Sequence, residues 1–155
     1  MITAGDILNE KNAEMVCIAP DLTVFDAVSL MVTRNIGAVL VKDGGRIVGI
    51  WTERDLLKSS AAPGFDAAAT RIGDVMTRKL HTVDVDTSLI RLEEMFLGLF
   101  IRHLPVEKDG EIIGLISIGD VLRISLLEKD RKIKELNSMA SWQYYENWGW
   151  TGKKK

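Results

Sequence analysis

The chain has 155 residues, 20 Lys+Arg against 22 Asp+Glu, a formal charge of −2 and 46% hydrophobic residues. A chain of that size makes one ordinary globular domain and buries roughly 68–70% of its extended surface without disulfide or metal staples. The near-neutral charge gives no whole-domain reason to bind nucleic acid, and the single Cys17 permits neither an internal bridge nor a Cys-rich zinc site.

No apolar run approaches the ~20 residues of a membrane helix, and Met1–Asp6 lacks a basic segment followed by an apolar one. The chain is therefore expected to be soluble and unexported, in a reducing cytoplasm.

The sequence is written twice. Residues 17–58 displaced by 65 positions fall without a gap on 82–123, with Asp21/Asp86, Ile36/Ile101, Val41/Val106, Gly45/Gly110, Gly49/Gly114 and Asp55/Asp120 identical. Upstream, Gly5-Asp6-Ile7-Leu8 matches Gly73-Asp74-Val75-Met76 at a displacement of 68, so the first copy carries three extra residues within Asn9–Glu14.

In chain order, a short helix at Gly5–Asn9 leads to a strand near Met15–Ile18 and a turn at Pro20-Asp21-Leu22. A helix follows, with Val24, Ala27, Val28 and Met31 on one stripe and Thr23/Asp26 placed as a capping box. Strands at Ala38–Val41 and Arg46–Trp51 flank the hairpin signal Asp43-Gly44-Gly45, and a further helix begins at Thr52. Small residues, Pro63 and Gly64 mark Ser59–Gly64 as linker.

The second copy repeats this order. A helix at Gly73–Met76 and a strand at His81–Val83 precede the stripe Leu89, Leu92, Met95, Phe96 and Leu99. Strands Leu104–Glu107 and Glu111–Ile116 then flank Lys108-Asp109-Gly110, and a helix begins at Ser117. A unit of about 55 residues is marginal alone, so the expected class is α+β, two βαββα repeats packed about a pseudo-two-fold axis. The repeats are placed at 2–58 and 70–123, with a linker at 59–69 and an extension at 124–155.

At the last strand-to-helix junction the copies read Gly49-Ile50-Trp51-Thr52-Glu53-Arg54-Asp55 and Gly114-Leu115-Ile116-Ser117-Ile118-Gly119-Asp120, both G-h-x-[ST]-x-x-D. Singly the motif is weak. Five Ser/Thr residues have an acid three positions on, namely Thr3/Asp6, Thr23/Asp26, Thr52/Asp55, Ser117/Asp120 and Ser125/Glu128, and capping alone accounts for such pairs.

Recurrence at one repeat phase, with Gly three residues before the hydroxyl, also suits a ligand. The helix N-terminus takes an anion, the hydroxyl donates to phosphate, and the carboxylate accepts both hydroxyls of a ribose. The glycine would let the ligand approach the backbone.

In these motifs, in Arg102-His103-Leu104-Pro105-Val106 and in Gly73-Asp74-Val75-Met76-Thr77, the chain resembles tandem cystathionine β-synthase (CBS) domains over about residues 2–123. The resemblance implies a regulatory pair with two clefts for adenine nucleotides. It implies that Asp55 and Asp120 hold ribose, that Thr52 and Ser117 hold phosphate, and that Arg54, Arg102 and His103 are the cationic candidates.

Cys17-Ile18, Thr82-Val83, Ile36-Gly37-Ala38 and Ile101 through Pro105 would line the adenine slots. Since Gly37 and Ala38 stand where the second copy has Arg102 and His103, the cleft of Asp120 is expected to be the more faithful, and loss of Asp120 the more damaging. His81 has no spaced partner and is given no chemical role.

No nucleophile constellation, metal cage, P-loop or G-x-G-x-x-G is present, so catalysis by the chain is not expected, and neither a catalytic cofactor nor a metal is called for. Beyond Asp120 the stripe Val121, Ile124, Leu127, Ile133, Leu136 and Met139 predicts an amphipathic helix to about Ser138 that meets a second subunit.

Trp142, Tyr144, Tyr145, Trp148 and Trp150 then give an aromatic tail before Lys153-Lys154-Lys155. The tail folds back on the core or dimer mate, binds another protein, or meets nucleic acid or a membrane surface. The expected function is a homodimeric sensor of AMP, ADP, ATP or another adenosyl ligand such as NADH or S-adenosylmethionine, signalling in trans to a protein partner. The alternatives are an interaction scaffold with vestigial clefts, or nucleic-acid binding through the tail.

Overall fold

The computed structural model describes residues 1–147, with side chains described for 1–141. Two three-stranded sheets carry the repeats. β1 (Cys17–Ile18), β2 (Ala38–Asp43) and β3 (Arg46–Thr52) lie in that order, as do β4 (Val83–Asp84), β5 (His103–Lys108) and β6 (Glu111–Ser117). In each sheet the first pair is parallel and the hairpin antiparallel. The α+β fold of two tandem repeats is the one expected.

The registers superimpose under the shift of 65: Ala38 faces Thr52 where His103 faces Ser117. Both hairpins turn through two residues of positive φ, Gly44 (+54°) and Gly45 (+80°), then Asp109 (+52°) and Gly110 (+80°), the requirement of a two-residue type I′ turn. Both carry a bulge after Val41 or Val106 that leaves Val48 or Ile113 as the extra residue.

Helices cover the outer face of each sheet. On α2 (Val24–Arg34) the stripe buries Val24, Ala27 and Met31, and on α5 (Leu89–Leu99) it buries Leu92 and Phe96. Leu99 departs from expectation and is exposed, because α5 ends in the left-handed Phe100 and the stripe has run past the sheet.

α1 (Ala4–Lys11) and α4 (Ile72–Val75) do not sit on the repeats they precede in sequence; they are exchanged. α1 lies against β6, and its Ala4 and Ile7 complete the second core with Val83, Leu92, Leu104, Val106, Ile116 and Val121. α4 sends Ile72, followed by Met76, into the first core with Ile18, Val24, Val39, Val41 and Trp51.

Three pairs of backbone hydrogen bonds fix the exchange, each pair matched under the two displacements. Gly5 N–H donates to Val85 O (2.8 Å) as Gly73 N–H does to Pro20 O (2.9 Å). Ala4 donates to Thr87 as Ile72 does to Leu22, and Leu89 donates to Ile2 as Val24 does to Thr70.

The motif glycines serve this packing. A Cβ on Gly49 would stand 2.5 Å from Met76 Sδ and 3.0 Å from Thr77 O, and one on Gly114 would stand 2.8 Å from Leu8. The expectation that these glycines admit a ligand to the backbone is thus corrected: they admit the exchanged segments.

The inner faces of the sheets meet each other. Ala38, Leu40 and Ile50 pack with Cys17, Ile47, Leu80, Ile112 and Leu115, while the alternate residues Val39, Val41 and Trp51 face the helices. α3 (Glu53–Ser60) closes the first repeat, and Phe65 and Ala67 beyond it pack on the first core.

α6 (Ile118–Asn147) closes the second repeat and continues past the predicted end at Ser138. Ser125 is buried within it, so Ser125/Glu128 is no cap. Val121 and Ile124 enter the core, whereas Ile133, Leu136 and Met139 project beyond it exposed. Of the tail, Trp142, Tyr144 and Tyr145 fall on the α6 backbone, and Trp148, Trp150 and Lys153–Lys155 lie outside the described residues.

Two alanine substitutions separate packing from propensity. Gly49→Ala overpacks the Met76 contact and should lower unfolding free energy by about 1–3 kcal/mol. Gly98→Ala, where an added Cβ meets nothing within 4 Å, should raise it by about 0.5–1 kcal/mol through helix propensity. Urea melts of the two variants read both signs.

Candidate functional site

Both motifs fold into reciprocal caps. Thr52 Oγ1 accepts from Asp55 N–H (3.3 Å), and Asp55 Oδ2 accepts from Thr52 N–H (2.9 Å) and Oγ1 (3.0 Å). In the second copy Ser117 N–H donates to Asp120 Oδ2 (2.8 Å) and Asp120 N–H to Ser117 Oγ (3.1 Å). Each helix start therefore places a hydroxyl and a carboxylate beside the seam between the sheets, with Glu53 N–H donating to Gly37 O (3.0 Å) and Ile118 N–H to Arg102 O (2.9 Å).

A cavity of about 500 Å³ opens at the first motif. Thr52 and Asp55 form its polar floor, Ile50, Leu80, Ile101 and Pro105 its apolar walls, and Arg54, Lys79, Arg102, His81 and His103 its basic rim, with Glu53 beside them. A larger cleft of about 990 Å³ lies at the second motif, lined by Ser117 and Asp120 with Lys11, Met15, Val16, Ile36, Gly37 and Ala38.

This pairing corrects the one expected. Arg102 and Pro105 serve the Asp55 cleft, and Ala38 serves the Asp120 cleft, because the segments entering β5 and β2 cross at the seam and each overhangs the other repeat's motif. His103 and Gly37 stand between the clefts and line both. The cleft rich in cations is the first.

Other expected walls are placed elsewhere. Ile18 and Val83 are buried in the two cores under the helices, Thr82 is half-buried and lines neither cleft, and Cys17 packs in the seam. Burial pushes the Cys17 thiol pKa up, against the nearby Lys42, which suits an inert packing residue. Arg54 makes no ion pair with Glu53 or Asp55; its Nη1 donates to Phe100 O at 2.6 Å and ties α3 to the end of α5.

Three residues escaped the sequence reading. Thr77 pairs with β3 through two 2.9 Å backbone bonds to Ile50, and its hydroxyl donates to Asp55 Oδ1 at 3.0 Å. Lys11 Nζ donates to Asp120 Oδ2 at 2.8 Å and to Leu115 O at 3.1 Å. Lys79 reaches the first cleft. Carrying the 68-residue displacement three positions past Leu8/Met76 aligns Lys11 with Lys79, the available signal for both.

Burial alone would push the Asp120 carboxyl up, but donation from Lys11 and Ser117 outweighs it and holds the group below its ordinary value. Burial also pushes the His103 imidazole down. Glu53 and Asp120 oppose that shift, while Lys11 and Arg102 add to it.

The CBS-domain family model matches residues 4–62 and 72–127. The chain belongs to the CBS-domain family. It is 36% identical over 151 residues to the mitochondrial CBS domain-containing protein CBSX3 of Arabidopsis thaliana, covering 92% of this chain and 73% of that one.

The crystal structure of the CBS-domain protein ATU1752 from Agrobacterium tumefaciens matches at 34% identity and a TM-score of 0.76, over 80% of this chain and 99% of that one. The CBS pair of protein MJ0100 shares the fold at 22% identity and a TM-score of 0.71, over 83% and 98%. Among the described residues no helix is long and apolar enough to cross a membrane.

The depressed His103 pKa carries a pH signature. The folded state resists a proton that the unfolded chain accepts at about pH 6.5, so this stability is present above that pH and is lost as pH falls toward the folded value. Melts at pH 7.5, 6.5 and 5.5 should show Tm falling with acidification, with a shallower slope in His103→Gln. An equal slope in the variant assigns the effect elsewhere.

Proposed function

We propose that this chain is a regulatory module that binds AMP, ADP, ATP or another adenosyl ligand such as S-adenosylmethionine or NADH, and signals occupancy to a separate protein. The observation that carries the reading is the first cleft. An apolar slot between Ile50, Leu80, Ile101 and Pro105 suits a flat base, the Asp55 carboxylate suits ribose hydroxyls, and Arg54, Lys79, Arg102 and His103 suit phosphate. The related MJ0100 pair was crystallised with 5′-methylthioadenosine and S-adenosylmethionine, which supports the ligand class.

A thermal-shift panel tests the ligand. A nucleotide at 100 times its dissociation constant adds about 2.7 kcal/mol and raises Tm by about 5–10 °C for a chain of this length. Asp55→Asn, which keeps a capping side chain, should remove most of that rise, and Asp120→Asn little of it. No shift with any adenosyl ligand, and none carried through purification, ends the sensor reading; a larger loss at Asp120 puts the ligand in the second cleft.

We read the assembly as a homodimer in the cytoplasm. Exposed apolar residues recur at matched positions on both repeats: Phe25 (60%), Val32 (75%) and Leu57 (71%) correspond under the shift of 65 to Ile90 (69%), Leu97 (74%) and Leu122 (57%). A second copy covers both patches with one self-complementary surface, and the exposed Ile133, Leu136 and Met139 of α6 offer a handle for the regulated partner. Light scattering should give twice the 17.3 kDa chain mass, and Val32→Glu with Leu97→Glu should return a monomer. A monomeric wild-type protein overturns the dimer.

A further inference from the structure

The two motif carboxylates are equivalent by repeat and unlike in their company. In the first repeat Thr77 alone serves two acceptors, its N–H going to Ile50 O and its hydroxyl to Asp55 Oδ1. In the second, the counterparts of those acceptors are Leu115 O and Asp120. The segment after α1 does not pair with β6 there; α1 runs on to Lys11 and ends in the left-handed Asn12.

Lys11 Nζ takes Thr77's place at the strand carbonyl, 3.1 Å from Leu115 O, and bonds Asp120 at Oδ2 (2.8 Å), the oxygen that also accepts from Ser117 N–H, whereas Thr77 bonds the other oxygen of Asp55. Its counterpart Lys79 is exposed at the first cleft and makes no ion pair among the described residues.

We propose that Lys11 is a resident cation that shuts the second cleft to ribose, so that each chain takes a single adenosyl ligand, held at Asp55. This deepens the adenosyl-binding reading and rests on it. At Asp55 a ribose hydroxyl exchanges for the Thr77 hydroxyl, one neutral donor for another.

At Asp120 a ribose that engages both carboxylate oxygens would have to compete with an ion pair whose side chains are 31% and 21% exposed, and to displace the donor of Leu115 O. The hydroxyl also donates to an ionised carboxylate, but it lacks the countercharge that the ammonium supplies. Removing the ammonium leaves a half-buried carboxylate in need of donors, and ribose hydroxyls can then supply them.

Titration calorimetry with ATP, AMP and S-adenosylmethionine, each used separately, tests this on wild type, Lys11→Met, Lys11→Gln, Asp55→Asn and the Asp55→Asn/Lys11→Met double variant. Circular dichroism melts establish that each is folded, and Lys11→Gln carries the test if Lys11→Met does not fold. The wild type should bind one ligand per chain and the Lys11 variants two; Asp55→Asn should bind none, and the double variant should regain one.

Two ligands per wild-type chain, or one in both the wild type and the folded Lys11 variants, overturns the role of Lys11 while leaving the adenosyl reading intact. No binding by any of the five proteins fails the adenosyl reading, and the lysine proposal with it.

Discussion

Everything else in this molecule depends on the reciprocal exchange of its two short helices. Neither sheet can close its outer core with the segment that precedes it; the first needs Ile72 and Met76, the second Ala4 and Ile7. The same exchange decides what enters each cleft. α4 delivers Thr77 and Lys79 to the end of β3, and α1 delivers Lys11 to the end of β6. The site chemistry is thus set by helices whose first duty is apolar packing.

A shared backbone has been given unequal side chains. Under the 65-residue shift Arg102 replaces Gly37, His103 replaces Ala38, and Arg54 stands where the second copy has Gly119. Because the entering segments cross at the seam, Arg102 joins Arg54 at the first cleft and Ala38 lies at the second, with His103 and Gly37 lining both. A pseudo-two-fold arrangement of matched caps becomes one polarised cleft of about 500 Å³ and one larger cleft whose carboxylate is paired with Lys11. The basic side chains are concentrated at one cleft although the chain's net charge is only −2.

Much of this was legible in the sequence, and the rest failed for identifiable reasons. The stripe on α2, the α5 stripe as far as Phe96, both Gly-containing hairpins and the caps at Thr23, Thr52 and Ser117 are local signals that the sequence carries on its face. Periodicity reports that Ile72 and Ile7 are buried without reporting against what, so the exchange was invisible and the wall residues were given to the wrong clefts.

β1 and β4 have two residues each, too few to reveal that Ile18 and Val83 turn to the cores. Gly49 and Gly114 were seen to matter, but close approach by a ligand and close approach by Met76 or Leu8 leave the same mark in a sequence. For Lys11 and Lys79 the sequence does carry a signal, their alignment at the displacement of 68.

The exchange also imposes an order of assembly on a growing chain. The first repeat cannot seal its core until residues 72–76 have been made, some twenty positions past the end of its last strand. α1 waits longer still, since Val106 and Ile116 emerge about a hundred residues after it. During that interval the Ala4/Ile7 face is apolar and unburied, and its contacts are of the long-range kind that slows folding. The hairpins can form early, and the polarised cleft is among the last features to exist, because it needs both halves and both travelling helices in place.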